Sequence, residues 1–337
     1  TNLGPKAGLT VASALLVDYV LTVAVSISSG VQNAAAAFSW IRGHEVLAAL
    51  VLIAALTGMN LRGVRESGKA FAIPTYLFML TVVGMALVGL VRRTAGTLPP
   101  AESADLTLAP EPGMEQLGTL AMAFLLLRAF SSGCAALTGV EAISNGVPAF
   151  RKPKSANAAT TLLLMGAIAV TMLLSMIALA TWTGVKVAED PGQQLLRDGV
   201  PVGDGYVQHT VMAQVAMSVF DGFPAGVVLV SVVTGLILVL AANTAFNGFP
   251  VLGSVLAKDG YLPRQLHTRG DRLAFSNGIL LLAGAAGLLI VIFDASVTRL
   301  IQLYIVGVFV SFTVSQIGMV RHWNRNLTLA PDGRQRR

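Results

Sequence analysis

Of the seventeen acidic residues in the chain, only Asp18 and Glu141 fall inside long apolar runs; the others sit in loops or at the ends of runs. An ionisable side chain at membrane depth is costly and by default marks a functional site. Asp18 lies in LLVDYVLTVAVSISSG, where Asp18, Thr22 and Ser26 recur at i, i+4 and i+8 and therefore share one helix face. Tyr19 stands beside them. Thr22 and Ser26 alone would also serve as interhelical hydrogen-bonding groups, as hydroxyls in membrane bundles commonly do. A carboxylate on the same face weighs toward a functional role, because a buried acid without compensation costs too much to keep.

Glu141 lies in FSSGCAALTGVEAISNGVPAF. Gly133 and Gly139, with Gly146 and several small polar residues, mark a run that unwinds in mid-span. Helices broken at the bilayer midplane are where transporters place substrate and ion sites, using freed carbonyls and helix ends. One turn past the break, Glu141 could titrate and so carry a proton or pair with a cation. It could equally be a structural acid tied to Arg128, the basic residue that lies within the same run. No enzyme constellation accompanies these acids. His44, His209, His267 and His322 lie in loops or at run ends with no metal-ligand spacing among them. The single cysteine, Cys134, has no histidine nearby, and no phosphate loop is present. Neither enzymatic chemistry nor a bound cofactor is expected.

The elements that must position these residues follow from composition. Hydrophobic residues make up 54% of the chain and charged residues 12%, against about 25% charged in soluble domains. Eight apolar runs, near 8–38, 44–60, 71–93, 114–149, 156–182, 223–248, 276–293 and 296–320, approach or exceed the roughly 20 residues that span a bilayer. Each must satisfy its own backbone in lipid, so all are expected to be helical. Basic residues cluster around 62–69, 151–154, 258–272 and 321–337. They are sparse in the alternate loops, which hold Arg42, Arg92, Arg93, Lys186 and Arg197, with Arg299 at that end of the last run. This bias places both chain ends in the cytoplasm of a multi-pass plasma-membrane protein. It also explains the net charge of +6 without nucleic acid. Residues 94–113 read as an extracellular connector. Residues 205–220 (GYVQHTVMAQVAMSVF) read as a short amphipathic helix able to cap an outer vestibule.

TGVEAISNGVPAFRKPKSANAA resembles the sixth-helix motif of the amino acid–polyamine–organocation (APC) superfamily, and AKDGYLPRQL resembles the cytoplasmic loop after its eighth helix. LLVDYVLTVAVSISSG, SSGCAALTGVEAISNGVPAF and RGDRLAFSNGI are similar to one branch, the KimA-type, KUP-like potassium–proton symporters. The resemblance implies an all-α polytopic fold of LeuT-like inverted repeats, with about eight spans present and one of them broken. It implies potassium held by hydroxyl and carbonyl oxygens. The ligands carried over are Thr22, Ser26, Thr138 and Tyr304, with Asp18 and Tyr19 close by and Glu141 in proton coupling. Potassium and the proton would be transported species; no other metal is implied. A hard monovalent cation prefers oxygen donors such as these. Amino acid permeases of the superfamily usually carry an aromatic gate before Gly-x-Glu, whereas here Ala135–Thr138 hold none.

On this alignment the chain covers family helices three to ten, as a partial transporter domain over 1–321 and a basic cytoplasmic tail over 322–337. The first two helices and the cyclic di-AMP regulatory domain would be absent, and the chain would not transport by itself. The resemblance allows a homodimer. An amino acid or amine permease of the same fold remains the alternative substrate class, and a non-transporting membrane sensor the alternative from another class.

Overall fold

A computed structural model describes residues 3–63, 68–109, 119–133, 147, 150–203, 205–267 and 275–329. Among these residues the chain forms ten α-helices: α1 Pro5–Ala37, α2 Glu45–Leu61, α3 Gly68–Thr94, α4 Thr119–Gly133, α5 Lys154–Thr183, α6 Pro191–Gln194, α7 Val211–Val219, α8 Pro224–Lys258, α9 Ser276–Ile292 and α10 Val297–Leu329. Five segments are long and apolar enough to cross a membrane: Pro5–Ala37, Phe71–Thr94, Lys154–Thr183, Pro224–Lys258 and Val297–Arg325. Glu45–Leu61, Met122–Gly133 and Ser276–Ile292 are shorter apolar helices. Among the described residues each apolar run of the sequence thus holds a helix, and the helical membrane architecture expected from composition is the one adopted.

The pattern of burial is that of a membrane protein. α5 presents Leu163, Val170, Leu174 and Ile177 outward, each at least half exposed. In water such a stripe would be an aggregation site; in hydrocarbon it is ordinary. Hydroxyls on α5 cannot look to water either. Thr160, Thr161, Thr171, Ser175 and Thr181 each donate to the carbonyl four residues back, so the helix absorbs its own polar side chains.

The chain divides into two compact units. The first comprises Thr1–Ser28, Ala49–Arg65 and Ala241–Arg337, and so contains most of α1 and α2, the second half of α8, and α9 and α10. α8 continues to Lys258 rather than ending near 248, because Pro250 removes only one backbone donor and a long helix can carry that loss in a bend. α10 likewise runs on to Leu329, so the polar stretch from 322 begins as helix.

The second unit comprises Ser29–Ala48 and Glu66–Leu240. α3 and α5 pack together, and α7 lies against both. Met85, Leu179, Val215, Ala216, Val219 and Val230 form the buried interior of that contact. Of the segment read as an amphipathic helix at 205–220, Val211–Val219 is helical as α7, capped by Thr210, whose Oγ1 accepts from the Ala213 N–H at 3.2 Å. The connector at 94–113 is more than a loop. Thr107–Leu108 (β1), Leu195–Arg197 (β2) and Val200–Pro201 (β3) form an antiparallel sheet in the order β1-β2-β3. Asp198 and Gly199, with φ of 53° and 82°, make the two-residue turn between β2 and β3 that a tight hairpin requires. Leu106, Ala188 and Leu195 fill a small core beside it. The connectors that charge counting places on one side of the membrane therefore meet in space.

Arg92, at the end of α3, closes this unit. Its Nη1 donates to the carbonyls of Val219 (2.8 Å) and Asp221 (3.2 Å), and its Nη2 donates to that of Thr97 (3.1 Å). The first of these is a carbonyl at the C-terminus of α7, where no intrahelical donor is available. Its ion pair with Asp221 is long, 3.8 Å, and Asp221 is 66% exposed. The two partners should separate in a stability assay. Arg92→Met is expected to cost about 2 kcal/mol, from lost charge-assisted hydrogen bonds, and to lower the thermal midpoint in detergent. Asp221→Asn is expected to change it little. Equal losses for both would mean that the ion pair, not the carbonyl contacts, holds the α7 terminus.

Candidate functional site

Asp18 sits near the middle of α1 and is 5% exposed. Thr22 and Ser26, one and two turns on, are half-buried on the same face. The neighbour that encloses Asp18 is α10. A β-carbon built at Gly307 would lie 3.9 Å from the Ala14 carbonyl oxygen and 4.0 Å from the Asp18 nitrogen. The two backbones therefore approach closely, as small residues permit in membrane bundles. One turn before Gly307 on α10, Tyr304 is buried and packs with Leu21 of α1 and Val308. Asp18 and Leu21 are three residues apart on α1, and Tyr304 and Gly307 three apart on α10. The structure thus brings Asp18 and Tyr304 to one α1–α10 seam.

Tyr19 turns instead toward α8. A β-carbon at Gly248 would fall 2.5 Å from Tyr19 Cζ and 2.7 Å from its hydroxyl oxygen, so the ring occupies the space that a side chain at 248 would need. Two residues on, Pro250 has no N–H to return to the carbonyl of Phe246, and Phe246 is fully buried. The Tyr19 hydroxyl therefore lies against a stretch of α8 whose backbone ladder is interrupted. Asn243, on the same helix, accepts from Asn60 Nδ2 of α2 at 2.7 Å, and Asn60 also donates to the Leu56 carbonyl. Sequence reasoning passed over this pair. The available signal was an amide in each of two apolar runs, which hydrocarbon would tolerate only if they met each other.

Other expected site residues fare differently. Gly133 ends the described part of α4, and a side chain there would meet open space. Thr138, Gly139 and Glu141 lie outside the described residues, as does Cys134. Arg128 is exposed on α4, and its expected pairing with Glu141 falls outside the described residues as well. The geometry at hand is therefore a buried carboxylate and one buried phenol, Tyr304, at the α1–α10 seam, with half-buried hydroxyls on the face of Asp18 and a second phenol, Tyr19, turned toward α8. A buried carboxylate is stabilised by whatever offsets its charge, whether hydrogen-bond donors, a cation or a proton.

Comparison with known proteins places this geometry in context. Residues 1–332 match the family described as amino acid permease. The chain is also 44% identical over 323 residues to the potassium transporter KimA of Bacillus subtilis (strain 168). That match covers 96% of this chain and 49% of the relative, so the chain spans about half the length of the curated relative it matches. With its apolar helices and a family match over nearly its whole length, this multi-pass membrane chain belongs to the amino acid permease family.

Proposed function

We propose that this chain forms the helical, cargo-handling part of a potassium transporter that couples cation movement to protons by alternating access. The observation that carries the proposal is 44% identity across 96% of the chain to a potassium transporter. The buried Asp18 in the α1–α10 seam supports it chemically. A potassium ion leaving water needs replacement oxygens of moderate field strength. Thr22, Ser26, Thr138 and Tyr304 supply hydroxyl oxygens, and Asp18 supplies the compensating charge, with Tyr19 beside it.

Coupling calls for a second acid. If Asp18 neutralises the cation, a proton moving in the same direction needs its own carrier, and Glu141 is the remaining carboxylate within an apolar run. No covalent chemistry is involved and no cofactor is needed. The bias of basic residues toward 62–69, 151–154 and 258–272 orients both described ends toward the cytoplasm of the plasma membrane. A second reading, transport of an amino acid or amine, rests on the family description alone and is not favoured beside the match to a potassium transporter. The same experiment discriminates the two.

Replacing the matching 323 residues of the Bacillus transporter with this chain allows uptake to be measured in a strain lacking other potassium importers. Rubidium-86 uptake is expected, with Asp18→Asn reducing it about a hundredfold, the scale of a lost charge partner. Glu141→Gln is expected to retain rubidium binding but lose the dependence of uptake on the proton gradient. Uptake of labelled amino acids in place of rubidium would establish the second reading.

The Tyr19–Gly248 contact gives a finer test. Gly248→Ala must push the tyrosine ring off α8, and the half-saturation concentration for rubidium is expected to rise about tenfold, equivalent to about 1.4 kcal/mol. Adding Tyr19→Ala to Gly248→Ala removes the clash but not the functional loss. Recovery of affinity in the double variant would show that the tyrosine serves packing only.

A further inference from the structure

A second ionisable centre lies in the loop cap of the second unit, away from the apolar runs. His209, just before α7, stands between two charged groups: its Nδ1 is 2.6 Å from Glu102 Oε1, and its Nε2 is 3.2 Å from Arg42 Nη2. A guanidinium has donors and no acceptor, so the Arg42 contact is a hydrogen bond only if Nε2 presents a lone pair. The single ring proton must then sit on Nδ1 and be donated to Glu102. Geometry therefore fixes both the tautomer and the charge of His209: it is neutral while Arg42 holds it.

We infer that His209 is a proton-binding site in its own right, whose protonation at Nε2 releases Arg42 and loosens the C-terminal end of α1. The incoming proton occupies the one lone pair that Arg42 uses. It sets donor against donor and cation against cation, while the contact with Glu102 becomes an ion pair. The two states are mutually exclusive, and the backbone that carries the ring is pinned. Gln214 Nε2 donates to the His209 carbonyl at 2.9 Å, and Gln214 Oε1 accepts from the buried Ser103 hydroxyl at 2.6 Å. The next residue, Thr210, donates to Asn33 Oδ1 at 2.9 Å. With the histidine backbone fixed, the arginine is the group that yields. Arg42 also donates through Nε to the Ala35 carbonyl at 3.1 Å, a carbonyl at the end of α1 that no further helical turn can satisfy. Losing Arg42 uncaps that end.

Proton access is provided by exposure: the His209 side chain is 14% exposed and Glu102 35%. The other ionisable groups around the centre can be told apart from it. His44 shares the turn with Arg42, its Nδ1 lying 3.3 Å from the Arg42 carbonyl oxygen, and Glu45 accepts from the Gly43 N–H. On the hairpin side, burial pushes the Tyr206 phenol up, with Glu102 and Asp105 adding to the rise and Arg197 opposing it. Of these groups, the histidines are the ones whose ordinary titration range lies between about pH 5 and 8, which makes His44 the necessary control. With the orientation proposed above, the cap faces the extracellular solution, so the site would report external acidity independently of any carboxylate in the membrane.

Amide hydrogen exchange over residues 35–44 of the whole chain in detergent tests this without a transported solute. Rates are corrected for intrinsic pH dependence and compared at about pH 5.5 and about pH 7.5, on either side of the ordinary histidine range. In the unaltered chain the acidic sample is expected to exchange about tenfold faster. His209→Gln keeps an acceptor for Arg42 and a donor for Glu102 but cannot gain charge, so slow exchange at both values is expected. Arg42→Gln should be fast at both, and His44→Gln should behave as the unaltered chain. Persistence of the pH effect in His209→Gln, or its loss in His44→Gln, would overturn the assignment. So would a flat profile in the unaltered chain.

Discussion

Hydrocarbon offers no hydrogen bonds and no screening, and among the described residues many polar groups at membrane depth have an internal answer. Along α5, five hydroxyls turn back to carbonyls of their own helix. Two helices can also share the burden, as Asn60 and Asn243 do. The same constraint explains why Asp18 is enclosed where the backbones of α1 and α10 approach at Gly307. A carboxylate facing lipid would be far more costly than one turned into protein, water or a bound ion.

Elements whose sequence pattern reflects the bilayer were legible; those whose pattern reflects a distant partner were not. A run such as LLLMGAIAVTMLLSMIALATW in α5 has to be a helix, whatever it packs against. Its ends are less determined: α8 passes through Pro250 and α10 carries its helix on to Leu329. Neither continuation is written in hydropathy, since polar residues beyond the membrane are free to be helical or not. The β1-β2-β3 sheet was invisible for another reason. Two- and three-residue strands have no period to detect, and the partner of Thr107 is Leu196, far along the chain. The Asp-Gly turn at 198–199 was the one local clue, and it is meaningful only once the flanking strands are recognised.

At the candidate site the division is similar. Asp18 stood out because its side-chain type contradicts its surroundings, and Tyr304 entered through family resemblance. The glycines that seat them could not be found by type: the chain has 34 glycines, and nothing marks Gly248 or Gly307 except the neighbour that fills the missing side chain's place. Close approach is a property of two segments at once. A linear reading sees only one. Thr138 and Glu141 remain sequence expectations, lying outside the described residues.

The two ionisable centres differ in what their energetics allow them to do. Contacts among Arg42, His209 and Glu102 lie near water, where ion pairs contribute little to stability. Such a cluster is poorly suited to holding a fold together and well suited to changing state, because small shifts in protonation rival its whole stabilisation. Asp18 is in the opposite regime. Burial in the α1–α10 seam makes its charge costly, and on the proposed function a proton or a cation would offset that cost. A cation that does so is bound tightly for the same reason that the empty, ionised site is unfavourable: occupancy and burial stabilise each other through one linked free energy. A site built this way need not select its charge by contact geometry alone. On the proposed function, a buried carboxylate in the α1–α10 seam would disfavour anions, leaving the oxygen donors to distinguish among cations.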